Sequence, residues 1–219
     1  MHWYQWMALV ALGFCVITCL FYFLRLIRLG KPQDLSKPAA KTGPGILFAF
    51  TGAMSPARKE SALLHLPTYT AGIFYHLGTF LSIFLFFFII SGAYPSGYLA
   101  LLIMILLSLS SLSGISILIK RLINGNLRSL SNPDDYLSNV LVTLFQAMTL
   151  FVMLSASPFL LFKDFSENFQ MLYYLIFTIL ALYVPAGKLR HAVYFFAARY
   201  HLGFFYGRRG VWPAGKMKN

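Results

Sequence analysis

The feature that most constrains this chain is a series of apolar runs about as long as a bilayer is thick. Five stretches qualify, at about 7–24, 71–90, 98–119, 137–162 and 171–195. An α-helix rises about 1.5 Å per residue, so about 20 apolar residues cross a hydrocarbon core about 30 Å thick. Hydrocarbon offers no partner to a bare N–H or C=O, so such runs cross as helices whose backbone bonds close internally. Gly, Pro, Asn or charge bounds the runs, as in "SGAYPSG" (91–97), "NGNLRSLSNPDD" (124–135) and "KDFSEN" (163–168). Hydrophobic residues fill 58% of the 219 positions and charged residues 11%, more apolar surface than a water-soluble domain of this size can hide. The expected fold is an all-α membrane protein: a five-transmembrane-helix bundle forming a single polytopic domain over 1–219, with no soluble domain attached.

Lys and Arg positions predict the orientation. With the N-terminus outside, Arg25, Arg28, Lys31, Lys37, Lys41, Arg58 and Lys59 fall in the first inner loop. Lys120, Arg121 and Arg128 fall in the second, and Lys188, Arg190, Arg199, Arg208, Arg209, Lys216 and Lys218 in the C-terminal segment. Only Lys163 is left outside, so the positive-inside rule places the C-terminus in the cytoplasm. The net charge of +12 is then a topology signal. Nucleic-acid binding is not expected, because the charge is spread over three membrane-flanking segments without a nucleic-acid motif. The N-terminal run lacks a basic start and its positive charges follow it, so it reads as a retained helix rather than a signal peptide. Trp3, Tyr4 and Trp6 are expected as an outer aromatic belt, with His2 an interfacial residue beside them.

Cys15 and Cys19 share one face of the first helix and read as small packing residues. No Cys-x-x-Cys-His motif is present, so neither c-type haem attachment nor a cysteine-ligated cluster is expected of this chain.

Histidines are the informative titratable residues. His65 and His76 flank the start of the second span, and His191 and His201 lie at the end of the fifth. Eleven helical residues separate the first pair, about 16 Å of rise and within about 20° of one face; ten separate the second, about 15 Å and about 80° apart. The two spans run in opposite directions under the predicted topology. His65 then shares a depth with His201, and His76 with His191. Two stacked bis-histidine sites for b-type haem follow from that placement. Packing within the bundle, or for His201 a place on the inner surface, is the competing reading. Zinc would need a third ligand, and a proton pathway would need Asp or Glu within the spans. Gly72 and Gly78 beside His76 open room for either a macrocycle or a neighbouring helix. Lys188 and Arg190 near His191 suit either haem propionates or the positive-inside pattern.

Three segments carry a family resemblance. "AGIFYHLGTF" (71–80), "KRLINGNLRSLSNPDDYLSNVLVTLFQ" (120–146) and "VPAGKLRHAVYFF" (184–196) resemble the second-helix haem motif, the helix three–four loop and the fifth-helix ending of the gamma subunit of respiratory nitrate reductase. Related cytochrome b subunits of sulfite-reductase-linked and high-molecular-weight cytochrome complexes share this pattern. Asp134 or Asp135 in the second segment is expected to cap the fourth span. The resemblance covers most of the chain and implies His76 and His191 as axial ligands. It also implies one or two b haems and electron transfer between membrane quinone and partner subunits. Those partners would be a cytosolic iron–sulfur or other redox subunit, and a periplasmic multihaem cytochrome is a further candidate. The implied location is the cytoplasmic membrane of a bacterium or archaeon.

Two positions depart from the pattern. Tyr173 stands near where the family carries its second fifth-helix histidine, and the second-helix histidines are eleven apart rather than the family's ten. Family logic pairs His191 with His65; depth logic pairs His76 with His191 and His65 with His201. A haem-free anchor that docks partner subunits is the alternative function. A transporter is disfavoured by the lack of intramembrane charge.

Overall fold

The computed structural model describes residues 1–30, 34–58, 63–156 and 166–213. Every regular element among them is helical: α1 (Trp3–Arg28), α2 (Thr42–Phe50), α3 (Leu66–Ile90), α4 (Gly97–Ile123), α5 (Gly125–Ser129), α6 (Pro133–Ala156), α7 (Ser166–Tyr183) and α8 (His191–Arg208), with short 3-10 turns at Gly52–Met54, Pro56–Arg58 and Lys188–Arg190. Helices α1, α3, α4 and α6 are each long and apolar enough to cross a membrane, and α7 with α8 makes a fifth if counted as one broken span. Their outward faces are apolar, with Val10, Ile17, Phe80 and Leu112 all more than half exposed. Such faces suit lipid rather than water.

The expected continuous helix over 171–195 is two helices. Pro185 has no N–H to give and disfavours helical backbone at Val184. The chain closes instead with the amides of Ala186 and Gly187 donating to the Tyr183 carbonyl at 3.0 and 2.8 Å. A Cβ at Gly187 would fall 2.2 Å from the Tyr183 ring, so the turn needs glycine there. The end of the predicted fourth span at 157–162, with Lys163 and Asp164, lies outside the described residues.

The helices fall into two compact units, Met1–Val16 with Pro67–Leu189, and Ile17–Leu66 with Arg190–Asn219. In the first unit α6 is the central post: 61% of its apolar window is buried, against 11% for α1. The core is aromatic. Phe86 of α3 stacks on Phe177 of α7 at 3.7 Å between ring centroids, and Phe145 of α6 stacks on Tyr173 at 5.6 Å. Trp3 and Trp6 are exposed, whereas Tyr4 is buried against Tyr174 and belongs to the core rather than an interfacial belt. His2 stacks on the Tyr4 ring. Cys15 and Cys19 are half-buried thiols that form no disulfide.

One end of this unit is tied by a polar knot. Asn132, rather than either aspartate, caps α6. The Asp135 amide donates to Asn132 Oδ1 and the Asn132 amide donates to Asp135 Oδ2, both at 3.0 Å, and Pro133 occupies the first helical position. The buried Asp135 carboxylate also meets Arg121 of α4 at 3.4 Å and pairs with Lys188. The Tyr183 hydroxyl donates to Asp134. The ends of α4, α6 and α7 are thereby joined.

The second unit is built on backbone-to-backbone contact between α2 and α8. A Cβ at Gly45 would lie 2.4 Å from Gly207 Cα, and one at Gly203 would lie 2.5 Å from Ile46 Cα. Gly203 and Gly207 are four apart on one face of α8, the small-residue spacing that lets two helices touch. Asp34 closes the end of the pair. It accepts from Arg209 at 2.9 Å and meets Arg208 at 3.6 Å, while the Ala39 amide donates to the Arg208 carbonyl at 2.8 Å. The hydrogen bond from the Ser36 side chain, then that from its amide, then the two guanidinium groups hold the Asp34 carboxyl below the usual carboxylate range. The clamp's contribution is therefore fully present above an unfolded-state pKa of about 4 and is lost as pH falls through the lower folded-state value.

Because the Gly45 contact is with backbone, no side chain can yield to a methyl group there. Gly45→Ala is expected to destabilise the second unit by roughly 1–3 kcal/mol, read as earlier proteolysis of the α2–α8 segment in detergent.

Candidate functional site

The four candidate histidines occupy different surroundings. His65 is the exposed turn residue just before α3, and His191 is the exposed first residue of α8. His201 is half-buried on α8; these three belong to the second unit. His76 belongs to the first, on the outward side of α3, with its ring tilted 6.2 Å from that of Tyr75. Among the described residues, no three His, Cys, Asp or Glu side chains converge as a metal-binding group. A haem iron needs only two imidazoles from the protein.

His201 lines an apolar cavity of about 560 Å³ wholly within the second unit. Its walls include Phe23 and Ile27 of α1, Phe50 of α2, and Phe196 and Tyr200 of α8. Phe50 and Phe196 face each other nearly parallel, 6.4 Å between centroids. The Nδ1 atom of His201 is buried and has no hydrogen-bond partner. A buried nitrogen without a partner costs free energy unless something takes it up. An apolar, partly open hollow of this size with an imidazole among its lining residues has the chemistry of a site for a flat, largely apolar group.

The glycines near His76 separate into two cases. A Cβ at Gly78 would fall 1.9 Å from Ser110 Oγ, so Gly78 admits α4. A Cβ at Gly72 would meet nothing within 4 Å. Lys188 is engaged with Asp135. Tyr173 is fully buried in close aromatic packing among Phe86, Phe145 and Tyr174. Its hydroxyl lacks a hydrogen bond of ordinary geometry, with Thr149 as its polar neighbour.

A buried polar network joins helices within the first unit. Gln146, fully buried in the middle of α6, donates through its amide nitrogen to the Tyr75 carbonyl at 2.9 Å and to Thr79 Oγ1 at 2.8 Å. Its amide oxygen accepts from Ser110 Oγ at 2.9 Å. The Tyr75 hydroxyl donates to the Asn139 carbonyl at 3.0 Å, and Thr143 Oγ1 donates to that hydroxyl at 3.3 Å. Three helices, α3, α4 and α6, are thus joined by side chains that lipid could not satisfy. The signal was present as a polar stripe at Asp135, Asn139, Thr143, Gln146 and Thr149, spaced three or four apart on one span.

No family model, curated protein or solved structure matches the chain.

The two glycine environments predict opposite outcomes. Gly78→Ala should loosen the contact of α3 with α4 and lower thermal stability in detergent. Gly72→Ala should leave the midpoint unchanged or raise it slightly, because alanine is the better helix former.

Proposed function

We propose that the chain is a b-type cytochrome subunit of a membrane redox complex, passing electrons between membrane quinone and partner subunits. The observation that carries this reading is His201, whose imidazole belongs to the lining of an apolar, aromatic-walled cavity. The likeness of 71–80, 120–146 and 184–196 to the nitrate reductase gamma-subunit pattern supports it. His201 and His65 both belong to the second unit, and His65 is the candidate for the second axial ligand there. His76 and His191 are further ligand candidates. When bound, haem b supplies reversible one-electron chemistry.

The protein's own contribution would be to hold the imidazoles in place beside apolar side chains. Apolar walls such as Phe23, Phe50 and Phe196 disfavour the more highly charged oxidation state and so tune the potential. The N-terminus would face outward and the basic segments inward, toward a cytosolic iron–sulfur or other redox subunit. The membrane would be the cytoplasmic membrane of a bacterium or archaeon. A periplasmic multihaem cytochrome is the candidate partner at the opposite face.

The packed surroundings of Tyr173 favour a second reading, a haem-free anchor that docks the same partners. A reduced-minus-oxidised visible spectrum of the purified full chain, with haem stoichiometry, separates the two. The cytochrome reading expects b-type absorbance that His201→Ala removes in part or whole; a folded protein with no such absorbance would leave the anchor.

A further inference from the structure

We propose that the second unit binds anionic phospholipid headgroups on a cationic, aromatic flank of the α2–α8 pair, a role that holds whether or not the chain carries haem. Charge is divided very unevenly between the two units. The segments of the second unit contain 13 of the 18 Lys and Arg residues but only Asp34 and Glu60 of the six acids. Nearly all of the chain's net charge of +12 therefore belongs to it. Asp34 is engaged within the unit, on Arg208 and Arg209.

The fold gathers part of this charge beside aromatic rings. Lys37, Lys41 and Arg58 are exposed. The segment around the two lysines lies along the end of α8: the Ala39 and Ala40 amides donate to the Arg208 carbonyl at 2.8 and 3.2 Å, and a Cβ at Gly210 would lie 3.7 Å from that of Ala40. Beyond Gly210 the chain folds back, with the Val211 and Trp212 amides donating to the Tyr206 carbonyl at 3.0 and 3.2 Å. That return brings the Trp212 ring to 4.7 Å from Tyr206 and 5.5 Å from Phe48 of α2. The Arg58 guanidinium lies 4.8 Å over the Phe48 ring.

An acidic protein and an anionic bilayer surface both answer such charge, and the apolar residues decide between them. Leu29, Leu35 and Leu47 of the same unit are 76%, 97% and 67% exposed. An acidic protein surface offers such side chains water and charge, whereas a bilayer offers acyl chains just beneath its phosphates. Helix α2, nine residues and about 13 Å long, is too short to span. Trp and Tyr rings with an arginine beside them settle at headgroup level. Lipid phosphates then meet Lys37, Lys41 and Arg58, an attraction that salt screens.

The test reads Trp212 itself. The other two tryptophans, Trp3 and Trp6, are exposed and lie in the first unit, so Trp3→Phe with Trp6→Phe leaves Trp212 as the sole reporter. This full-length chain is reconstituted in phosphatidylcholine vesicles carrying a small, equal fraction of either brominated phosphatidylglycerol or brominated phosphatidylcholine, whose bromine quenches tryptophan on contact. We expect the anionic lipid to quench Trp212 several-fold more strongly, with the difference narrowing in high salt. Lys37→Gln, Lys41→Gln and Arg58→Gln together should remove most of it, each charge being worth up to about fivefold in relative affinity. The reverse reporter, Trp212→Phe with Trp3 and Trp6 kept, should show no such preference. Equal quenching of Trp212 by the two lipids overturns the proposal and favours an acidic protein as the occupant. A preference that survives the triple variant, or is equally strong at Trp3 and Trp6, overturns the placement on this flank. The comparison of the two lipids needs no charge variant, so it decides the matter even where the triple variant misfolds.

Discussion

Three hydrogen bonds made by one buried amide hold the first unit in its register. Gln146 reaches α3 through the Tyr75 carbonyl and Thr79, and α4 through Ser110. Between apolar helices in lipid the hydrophobic effect supplies little preference for one rotation over another, because tails and Leu side chains are alike. Polar groups that have only one set of partners break that degeneracy. The aromatic core formed by Phe86, Phe145, Tyr173 and Phe177 then packs around an arrangement already chosen.

The second unit solves the same problem with contact rather than hydrogen bonds. Gly45, Gly203 and Gly207 let α2 and α8 touch through their backbones, and Asp34 with Arg208 and Arg209 closes the end. Close approach fixes the face of α8 that carries Phe196, Tyr200 and His201 into the cavity. The rigid half of the unit therefore lies beside the half that is open enough to take a ligand.

Much of this was legible from residue order. Apolar runs marked α1, α3, α4 and α6, though each helix extends past its run, as where Arg25 and Arg28 form the last turn of α1. The break before α8 was written in "VPAG", yet the apolar residues on both sides concealed it. Helix α2 escaped notice because nine residues inside a basic loop are too few for a span, and its partner lies some 160 positions away. Asn132 is not distinguishable as the cap from the two aspartates beside it, because only the folded geometry shows which side chain accepts from the first turn. The histidines were visible at once. Their surroundings were not, since the cavity at His201 is assembled from α1, α2 and α8.

The central claim is that this chain presents paired imidazoles to a haem. Near-infrared magnetic circular dichroism of the oxidised full-length protein tests it most directly, because the charge-transfer band reports the axial ligand pair. The account predicts a low-spin ferric band in the bis-imidazole range. A band typical of any other ligand pair, or a folded protein with no haem band at all, would contradict it.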